Sequence, residues 1–311
     1  MWRILGAFHL PYSQTLPYDC CPDSLDENEE VLPLDPIDPN LVGGVHLHLI
    51  QASARVHVLT FALEAISILI DPTTIRELVT DPIKLKRTSR NRFTNSAYRD
   101  HLRDLTRWGV TQAGGSVRFV SRYFAIPKTE SVARSIFNGR LLSRFFAVPG
   151  PVNLPYIPII LRLVMDLIAT FGRLYSTCAD IRHWFHQLEV GEHLREYFGV
   201  ALSDTETFRW CVLPMGWSHS PRICQSIAWA AILHKDPRCK DPDPLDDARK
   251  EIRGLNDPPQ YVRMTVNGVV VGFITLTYDN IGIFSADHDA YLKVNSRIRA
   301  NFKHFNIIEK E

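Results

Sequence analysis

Two aspartates occupy positions from which carboxylates could act together on phosphate. Asp180 ends the strand-like run Tyr-Ser-Thr-Cys-Ala-Asp, and Asp279 follows a second strand-like run at residues 274–278. The pair Asp279-Asn280 tolerates the positive φ of a two-residue hairpin turn, so the sequence predicts a hairpin tip there. A carboxylate at a strand end and another at a hairpin tip can be neighbours in space. Two such groups suit a pair of Mg²⁺ ions, about 3.5–4 Å apart, that hold both partners of an in-line phosphoryl transfer.

The residues between these aspartates decide how they are interpreted, because a lone aspartate in a turn usually serves only the turn. Residues 180–187 read Asp-Ile-Arg-His-Trp-Phe-His-Gln, and residues 213–225 read Leu-Pro-Met-Gly-Trp-Ser-His-Ser-Pro-Arg-Ile-Cys-Gln. With the Tyr-Asp-Asn run at 278–280, the chain resembles the palm of reverse transcriptases. Their second palm motif, Leu-Pro-x-Gly-(x)₃-Ser-Pro-x-x-x-Gln, is matched at every fixed position. Their third, an aromatic-x-Asp-Asp turn, is not, because Asn280 replaces the second Asp.

The resemblance implies a catalytic set. Asp180, the carbonyl of Ile181 and Asp279 would bind two metal ions, Mg²⁺ with Mn²⁺ as the alternative. Asn280 would offer only a neutral oxygen, so reduced activity is expected. Lys310 falls on the family's fourth palm motif and is implied as the general acid for the pyrophosphate leaving group.

The resemblance also implies nucleotide-binding residues. Phe185, five positions after Asp180, corresponds to a ring that presses on the sugar of the incoming nucleotide and leaves no room for a 2′-hydroxyl, which favours dNTP. By type alone Phe185 could equally be a core residue; its fixed offset from Asp180 favours the steric gate. Residues implied to line the nucleotide pocket or touch the template base are Met215, Gly216, Trp217 and Gln225.

Two cations belong to an expected strand pair within residues 117–137. Lys128 follows Pro127. The fingers of the family carry the pattern Arg-x-x-x-Asp-x-Arg-x-x-Asn. Its four fixed positions are taken here by Arg134, Asn138 in place of the Asp, Arg140, and Ser143 in place of the Asn. The resemblance implies that Lys128 and Arg134 reach the triphosphate, since guanidinium offers a planar fork to phosphate oxygens and ammonium a mobile point charge. Taken alone, they would be two cations on a surface hairpin.

The expected fold is α+β: right-hand polymerase fingers and palm, with an antiparallel palm sheet backed by helices and no thumb. Residues 1–55 are predicted to be an irregular tail, 56–150 a fingers-like region, and 151–311 a palm with a charged, proline-rich insertion at about 234–260. A helix over 154–170 is expected to pack under the sheet that presents Asp180, through a stripe containing Ile159, Leu163 and Leu167.

Composition and residue spacing limit which ligands and which cellular location the chain is expected to have. The formal charge is +1, so a surface for nucleic acid must be local. The candidate is a basic run, by itself more often a solvated helix face: Lys84, Lys86, Arg87, Arg90, Arg92, Arg99, Arg103 and Arg107.

Six cysteines lack metal-ligand spacing, and His183 and His186 lack a third ligand, so structural zinc is not expected. No stretch suits a signal peptide or a membrane span, and the chain is expected to be intracellular, cytoplasmic or nuclear.

The function these patterns favour is RNA-directed DNA synthesis by a retroelement enzyme. Its partners would be an RNA or DNA template-primer, dNTP and further polyprotein domains (thumb, RNase H, integrase or recombinase), with no membrane. Three alternatives remain open: a decayed or truncated fragment that only binds nucleic acid, an RNA-templated RNA polymerase, and a metal-dependent nuclease. Phe185 argues against the second, and the Ser-Pro-x-x-x-Gln helix against the third.

Overall fold

The computed structural model describes residues 32–80, 96–203 and 205–310. All elements named below belong to one compact unit, Pro33–Glu311. The fold is mixed α/β, and the three sheets of the described residues are antiparallel. One sheet has four strands in the order Tyr175–Asp180, Asn280–Ser285, Val269–Thr277, Tyr261–Val266, and one has three in the order Thr111–Ala113, Thr207–Trp210, Gly199–Ala201. The third is the pair Arg122–Pro127 and Ala133–Asn138.

The α-helices of the described residues are α1 Leu47–His57, α2 Thr60–Ile70, α3 Pro72–Leu78, α4 Ser96–Arg107, α5 Ile157–Phe171, α6 Trp184–Gln187, α7 Glu192–Arg195, α8 Ser220–Ile232, α9 Asp246–Glu251 and α10 His288–Phe305. The strands are β1 Thr111–Ala113, β2 Arg122–Pro127, β3 Ala133–Asn138, β4 Tyr175–Asp180, β5 Gly199–Ala201, β6 Thr207–Trp210, β7 Tyr261–Val266, β8 Val269–Thr277 and β9 Asn280–Ser285. Short 3-10 helices span Pro39–Leu41 and Leu142–Phe145.

Helix α8 lies at the centre of the core. Twelve of its residues are buried, and it packs against α2, α10, α1 and β8. The helix begins at Ser220 with His219 as N-cap, so Ser220 is not the N-cap that its position before Pro221 suggests. Pro221 still stands in the first turn, where no backbone N–H is needed. Burial on all sides explains the helix's Ile, Ala and Trp content, and it fixes α8 as the support beneath the β8–β9 turn.

Two hairpins of the four-stranded sheet test the turn predictions. Asn267-Gly268 is a pair typical of two-residue hairpin turns, and it forms the β7–β8 turn with φ of 50° and 78°. At the β8–β9 turn the prediction is wrong by one residue. Thr277 pairs with Asn280, so the two turn residues are Tyr278 and Asp279, and Tyr278 takes the positive φ of 54°.

The first helices differ from expectation. Irregular structure was predicted through residue 55, but α1 begins at Leu47, because Leu47, Ile50 and Ala54 bury one helical face. The apolar run at residues 56–70 has the pattern of a single helix, but it is interrupted at Val58, whose left-handed φ of 53° ends α1. A β-branched residue seldom adopts that conformation, so the sequence carried no signal for the break.

The prediction for α5 is wrong in its packing. The helix forms, but only Ile160 and Leu167 are buried along it. Ile159 of the predicted buried stripe is exposed, and Leu163 is only partly covered. The helix therefore presents most of its apolar surface outward.

The charged segment 234–260 is more than a surface excursion. Helix α9 lies within it, and Leu245 and Ala248 are buried. Asp243, whose side chain is fully buried, forms ion pairs with Arg249 of α9 and Arg297 of α10. This network anchors the segment to α10.

The basic run divides between described and undescribed residues. Its members from Lys84 to Arg92 lie outside the described residues. Arg99, Arg103 and Arg107 are exposed on α4, and two of them pair with an aspartate three residues earlier on the same helix. Within the described residues, no helix is both long enough and apolar enough to cross a bilayer.

A histidine contact at the edge of the core predicts a pH effect on stability. His234 is half-buried, with Nδ1 2.7 Å from the Ser53 hydroxyl and its ring stacked on His304. Burial, and then His304 and His57, lower the pKa of His234 to about 4 from 6.5. The unfolded chain therefore takes up this proton first as the pH falls. We expect the free energy of unfolding to decrease between about pH 6.5 and about pH 4.

Denaturant titrations over that pH range measure the effect. His234→Gln should flatten the decrease, whereas His48→Gln, on an exposed position of α1, should leave it unchanged. An identical slope in wild type and His234→Gln would contradict the assignment.

Candidate active site

The two aspartates of the sequence prediction meet at one edge of the four-stranded sheet. Strands β4 and β9 pair antiparallel from Tyr175↔Ser285 to Asp180↔Asn280, so Asp180 ends its strand beside the β8–β9 turn. The next backbone N–H, that of Ile181, donates a 2.8 Å hydrogen bond to the carbonyl oxygen of Asp279. The backbone thereby joins the two acidic residues, although 99 positions separate them in the sequence.

The electrostatics of this pair follow from burial and proximity. Burial, and after it the charge of the neighbouring Asp180, raise the pKa of Asp279 to about 6. Burial also raises the pKa of Asp180, which the Lys310 ammonium opposes. Two carboxylates that disfavour each other's charge in a half-buried site are an arrangement that a divalent cation relieves.

Lys310 is held next to Asp180 by a short backbone ladder. Its N–H donates to the Asp180 carbonyl at 2.8 Å, and its Nζ lies 3.8 Å from Asp180 Oδ2. Gln187, fully buried, fixes the same ladder: Oε1 accepts from the Ile308 N–H, and Nε2 donates to the carbonyls of Ile308 and Arg182. The importance of Gln187 was missed, although the sequence does carry the His-Gln pair typical of the first palm motif.

An open cavity of about 490 Å³ lies over the aspartates. Predicted site residues on its wall are Lys128, Arg134, Asp180, Ile181, Phe185, Met215, Asp279 and Lys310. Asn280 is exposed beside the turn, where its amide donates to Asp279 Oδ1 at 3.2 Å, but it is not on the cavity wall. Phe185 is half-buried, with part of its surface in the cavity.

The cationic wall comes from the β2–β3 hairpin, as the sequence predicted for its strands. The register Ile126↔Arg134 and Pro127↔Ala133 places Lys128 and Arg134 at one end of the pair. An acidic residue that sequence reasoning missed also lies there. Asp35 Oδ2 is 2.5 Å from Lys128 Nζ and 3.8 Å from His183 Nε2. Asp35 is positioned by its own backbone, since its N–H donates to the Ala133 carbonyl.

The hairpin and the residue-213–216 loop are in backbone contact. The Phe137 N–H donates to the Met215 carbonyl at 3.0 Å. Gly216 has a φ of +113°, and a Cβ there would lie 1.9 Å from the Phe137 carbonyl oxygen. Glycine is therefore required at 216 by the close approach of β3, rather than by direct contact with the cavity.

Two further residues implied to line the nucleotide pocket, besides Gly216, also lie off the cavity wall. Trp217 is 1 % exposed and packs in the core against Phe146, Phe198 and His219. Gln225 is fully buried on α8 and is not on the cavity wall. It supports the β8–β9 turn instead: Nε2 donates to the Leu276 carbonyl at 2.8 Å, and Oε1 accepts from the Tyr278 N–H at 2.8 Å.

The residues present fit a divalent cation. Asp180 Oδ1 is buried without a hydrogen-bond partner among the described residues, and Asp279 carries a second carboxylate beside it. A buried carboxylate oxygen without a donor is a costly arrangement that a cation satisfies. No group of three or more His, Cys, Asp or Glu residues in the described part of the chain could hold a metal, so any site here depends on two carboxylates.

Comparisons with known proteins give a distant likeness in structure alone. No protein-family model and no curated protein matches the chain. The native prototype foamy virus protease-reverse transcriptase aligns over 90% of this chain and 34% of its own, with a TM-score of 0.47 and 11% identity. A foamy viral protease-reverse transcriptase in complex with double-stranded DNA aligns over 75% of this chain and 40% of its own, with a TM-score of 0.48 and 14% identity.

The selenomethionine-labelled CSH mutant of the foamy virus protein aligns over 72% of this chain and 24% of its own, with a TM-score of 0.46 and 13% identity. This chain thus spans between about a quarter and two fifths of the length of those proteins. Function is therefore inferred from the motifs and from the geometry of the cavity.

The Asp35–Lys128 contact predicts how anion binding responds to mutation. Asp35→Asn removes the carboxylate that pairs with Lys128, so this ammonium is left for an external anion. We expect inorganic triphosphate to bind about fivefold more tightly, the scale of a partly exposed ion pair. Isothermal titration without added metal measures the change.

Asp38→Asn is the matched control, because Asp38 is a nearby aspartate that only caps the 3-10 helix at Pro39–Leu41. Weaker triphosphate binding in Asp35→Asn would mean that Asp35 positions Lys128 for the anion rather than neutralising it.

The buried Gln225 predicts a stability effect centred on the turn. Gln225→Met keeps approximate volume but removes the hydrogen bonds to the Leu276 carbonyl and from the Tyr278 N–H. Loss of these two side-chain hydrogen bonds should lower the free energy of unfolding by about 1–3 kcal/mol. Ser226→Ala is the control, since the buried Ser226 hydroxyl has no partner among the described residues. Equal unfolding midpoints for the two variants in denaturant would refute the role of Gln225.

Proposed function

We propose that this chain carries the catalytic residues of a template-directed DNA polymerase of the reverse-transcriptase kind. The reaction would join the primer 3′-hydroxyl to the α-phosphorus of a dNTP and release pyrophosphate. The observation that carries the proposal is the meeting of Asp180 and Asp279 on the wall of one cavity that the cations Lys128 and Arg134 also line. Carboxylates for metal ions and cations for a triphosphate are the two requirements of phosphoryl transfer.

The chain's residues divide this chemistry among them. Asp180 and Asp279, with the carbonyl of Ile181, would hold two Mg²⁺ ions, or Mn²⁺. When bound, such ions lower the pKa of the attacking hydroxyl and offset charge on the leaving group. Lys128 and Arg134 would bind the β- and γ-phosphates. Lys310, whose Nζ already lies 3.8 Å from Asp180, would give its proton to the departing pyrophosphate.

Phe185 favours deoxyribose over ribose in the nucleotide substrate. Its position on helix α6, just after the Asp180 strand, brings a half-buried ring to the cavity wall. Against that ring a ribose 2′-hydroxyl would be both crowded and without a hydrogen-bond partner. The proposed substrate is therefore dNTP rather than rNTP.

The proposed partner is a template-primer duplex of RNA or DNA. Such a duplex would be held through its phosphates and, for RNA strands, its 2′-hydroxyls. Arg99, Arg103 and Arg107 on the exposed face of α4 are the described members of the basic run, and they supply candidate phosphate contacts.

A second candidate is a nucleic-acid-binding protein without catalysis. Asn280 is the observation that favours it, because it places an amide next to Asp279 where a third carboxylate would strengthen the metal site. In that case the cavity would still bind anions and the chain would still bind template.

Primer extension on an RNA template with Mg²⁺ and dNTPs tests the proposal. Asp180→Ala should reduce extension at least about a thousandfold, because the metal-dependent stabilisation is worth several kcal/mol. Asn280→Asp should raise it about tenfold, since a carboxylate binds a divalent cation more strongly than an amide does. Asp289→Ala, which removes a fully exposed carboxylate from α10, should leave extension unchanged.

Other outcomes distinguish the alternatives. Extension that survives Asp180→Ala would refute the assigned metal site. Template binding without extension in every variant, Asn280→Asp included, would establish the non-catalytic candidate. Equal incorporation of rNTP would indicate an RNA-templated RNA polymerase.

A further inference from the structure

Residues 33–37, here called the strap, add a short stretch of parallel strand to the edge of β3. Ala133 holds them there through its backbone. Its N–H donates to the Pro33 carbonyl at 2.8 Å, and its carbonyl accepts from the Asp35 N–H at 2.9 Å. The strap residues on the cavity wall are Leu34, Asp35, Pro36 and Ile37. The strap is therefore part of the candidate active site and is held to the hairpin that carries the two cations.

The acidic side chain of the strap contacts a cation that the proposed function assigns to phosphate. Asp35 Oδ2 lies 2.5 Å from Lys128 Nζ and 3.8 Å from His183 Nε2. Lys128 also acts on the metal-binding end of the cavity: burial raises the pKa of Asp180, and Lys310 and then Lys128 oppose that rise. A carboxylate oxygen thus occupies, on Lys128, the place where a phosphate oxygen would bind.

A polyphosphate bound to Lys128 would bring negative charge next to the Asp35 carboxylate, and the two would repel each other. The Asp35 side chain cannot relieve this repulsion by turning, because its carboxyl carbon is only two bonds from Cα. It stays close to Lys128 for as long as the Asp35 N–H remains bonded to Ala133. Relief therefore requires that the strap leave the edge of β3.

The strap can also return. Leu34 and Ile37 are exposed by only 6% and 5%, so burial of these two side chains favours the bound position when no anion is present. A ligand shifts such an equilibrium by as much as its affinity differs between the two positions. A polyphosphate has this difference, because it competes with Asp35 in one position and not in the other.

We propose that the strap is an autoinhibitory element, which pairs with β3 while the cavity is empty and is displaced when a polyphosphate takes Lys128 from Asp35. The inference deepens the proposed function and rests on its phosphate-binding part, not on catalysis. The ligand class is the polyphosphate of a nucleotide, for which inorganic triphosphate is the probe.

Amide hydrogen exchange followed by NMR, with the full chain and inorganic triphosphate in the absence of metal, tests the proposal. A ligand that binds without displacing structure leaves nearby amides equally or better protected. At the strap we expect the opposite. With saturating triphosphate the amides of Asp35 and Ala133 should exchange at least about tenfold faster, because both lose their partners. The Phe137 N–H, which donates to Met215 from the same strand β3, is the control and should not exchange faster.

Two variants test whether charge drives the displacement. Asp35→Asn keeps the size of the side chain and removes the competing charge, so triphosphate should no longer accelerate exchange at position 35 or at Ala133. Asp38→Asn is the matched control on the adjoining 3-10 helix, because the Asp38 side chain accepts from the Asn40 N–H instead. It should show the acceleration of wild type.

Isothermal titration of the same samples separates failure of the strap from failure of the phosphate site. Triphosphate that binds wild type but leaves the Asp35 and Ala133 amides protected would overturn the strap proposal alone. Equal acceleration in wild type and Asp35→Asn would also overturn it, since displacement would then not depend on the carboxylate. Triphosphate that binds neither of these two proteins would overturn the strap together with the assignment of Lys128 to phosphate.

Discussion

The candidate site depends on the pairing of β4 with β9. That ladder fixes Asp180 opposite Asn280, and the hydrogen bond from Ile181 to Asp279 extends it past the strand ends. A shift of one residue would turn every side chain of β4 to the other face of the sheet. The separation of the two carboxylates is thus set by backbone hydrogen bonds, with side chains of the core, above all Gln225 and Gln187, holding the adjoining turn and ladder in place.

Several turns, helix starts and strands of the fold could be predicted from the sequence, because the residues that specify them are neighbours in the chain. Asn267-Gly268 specifies a hairpin because both residues tolerate positive φ. Asp71 caps α3, and Pro72 begins it. The strand-like segments on either side of Lys128 and Arg134 form β2 and β3. The meeting of Asp180 with Asp279 was reached through motif resemblance. Spacing alone could not supply it, because no local rule joins residues so far apart in the chain.

Other features of the site could not be predicted, because they depend on tertiary contacts that no local sequence pattern encodes. Gln225 looked like a ligand-facing residue, yet its burial against β8 decides its partners. The turn moved by one residue because the register of β8 with β9 overrode the preference of Asp279-Asn280 for positive φ. Asp35 lies in a proline-rich stretch without periodicity, and only its backbone contact with Ala133 brings it to the cavity.

The contact between Phe137 and the loop of Met215 and Gly216 also constrains motion. The hairpin that carries Lys128 and the loop that carries Met215 are joined by a backbone hydrogen bond and by an approach that leaves no room for a side chain at 216. Bending at this junction would break that bond and drive carbonyl oxygen into backbone. The two walls of the cavity are therefore coupled at this junction, and moving one without the other would cost this backbone hydrogen bond.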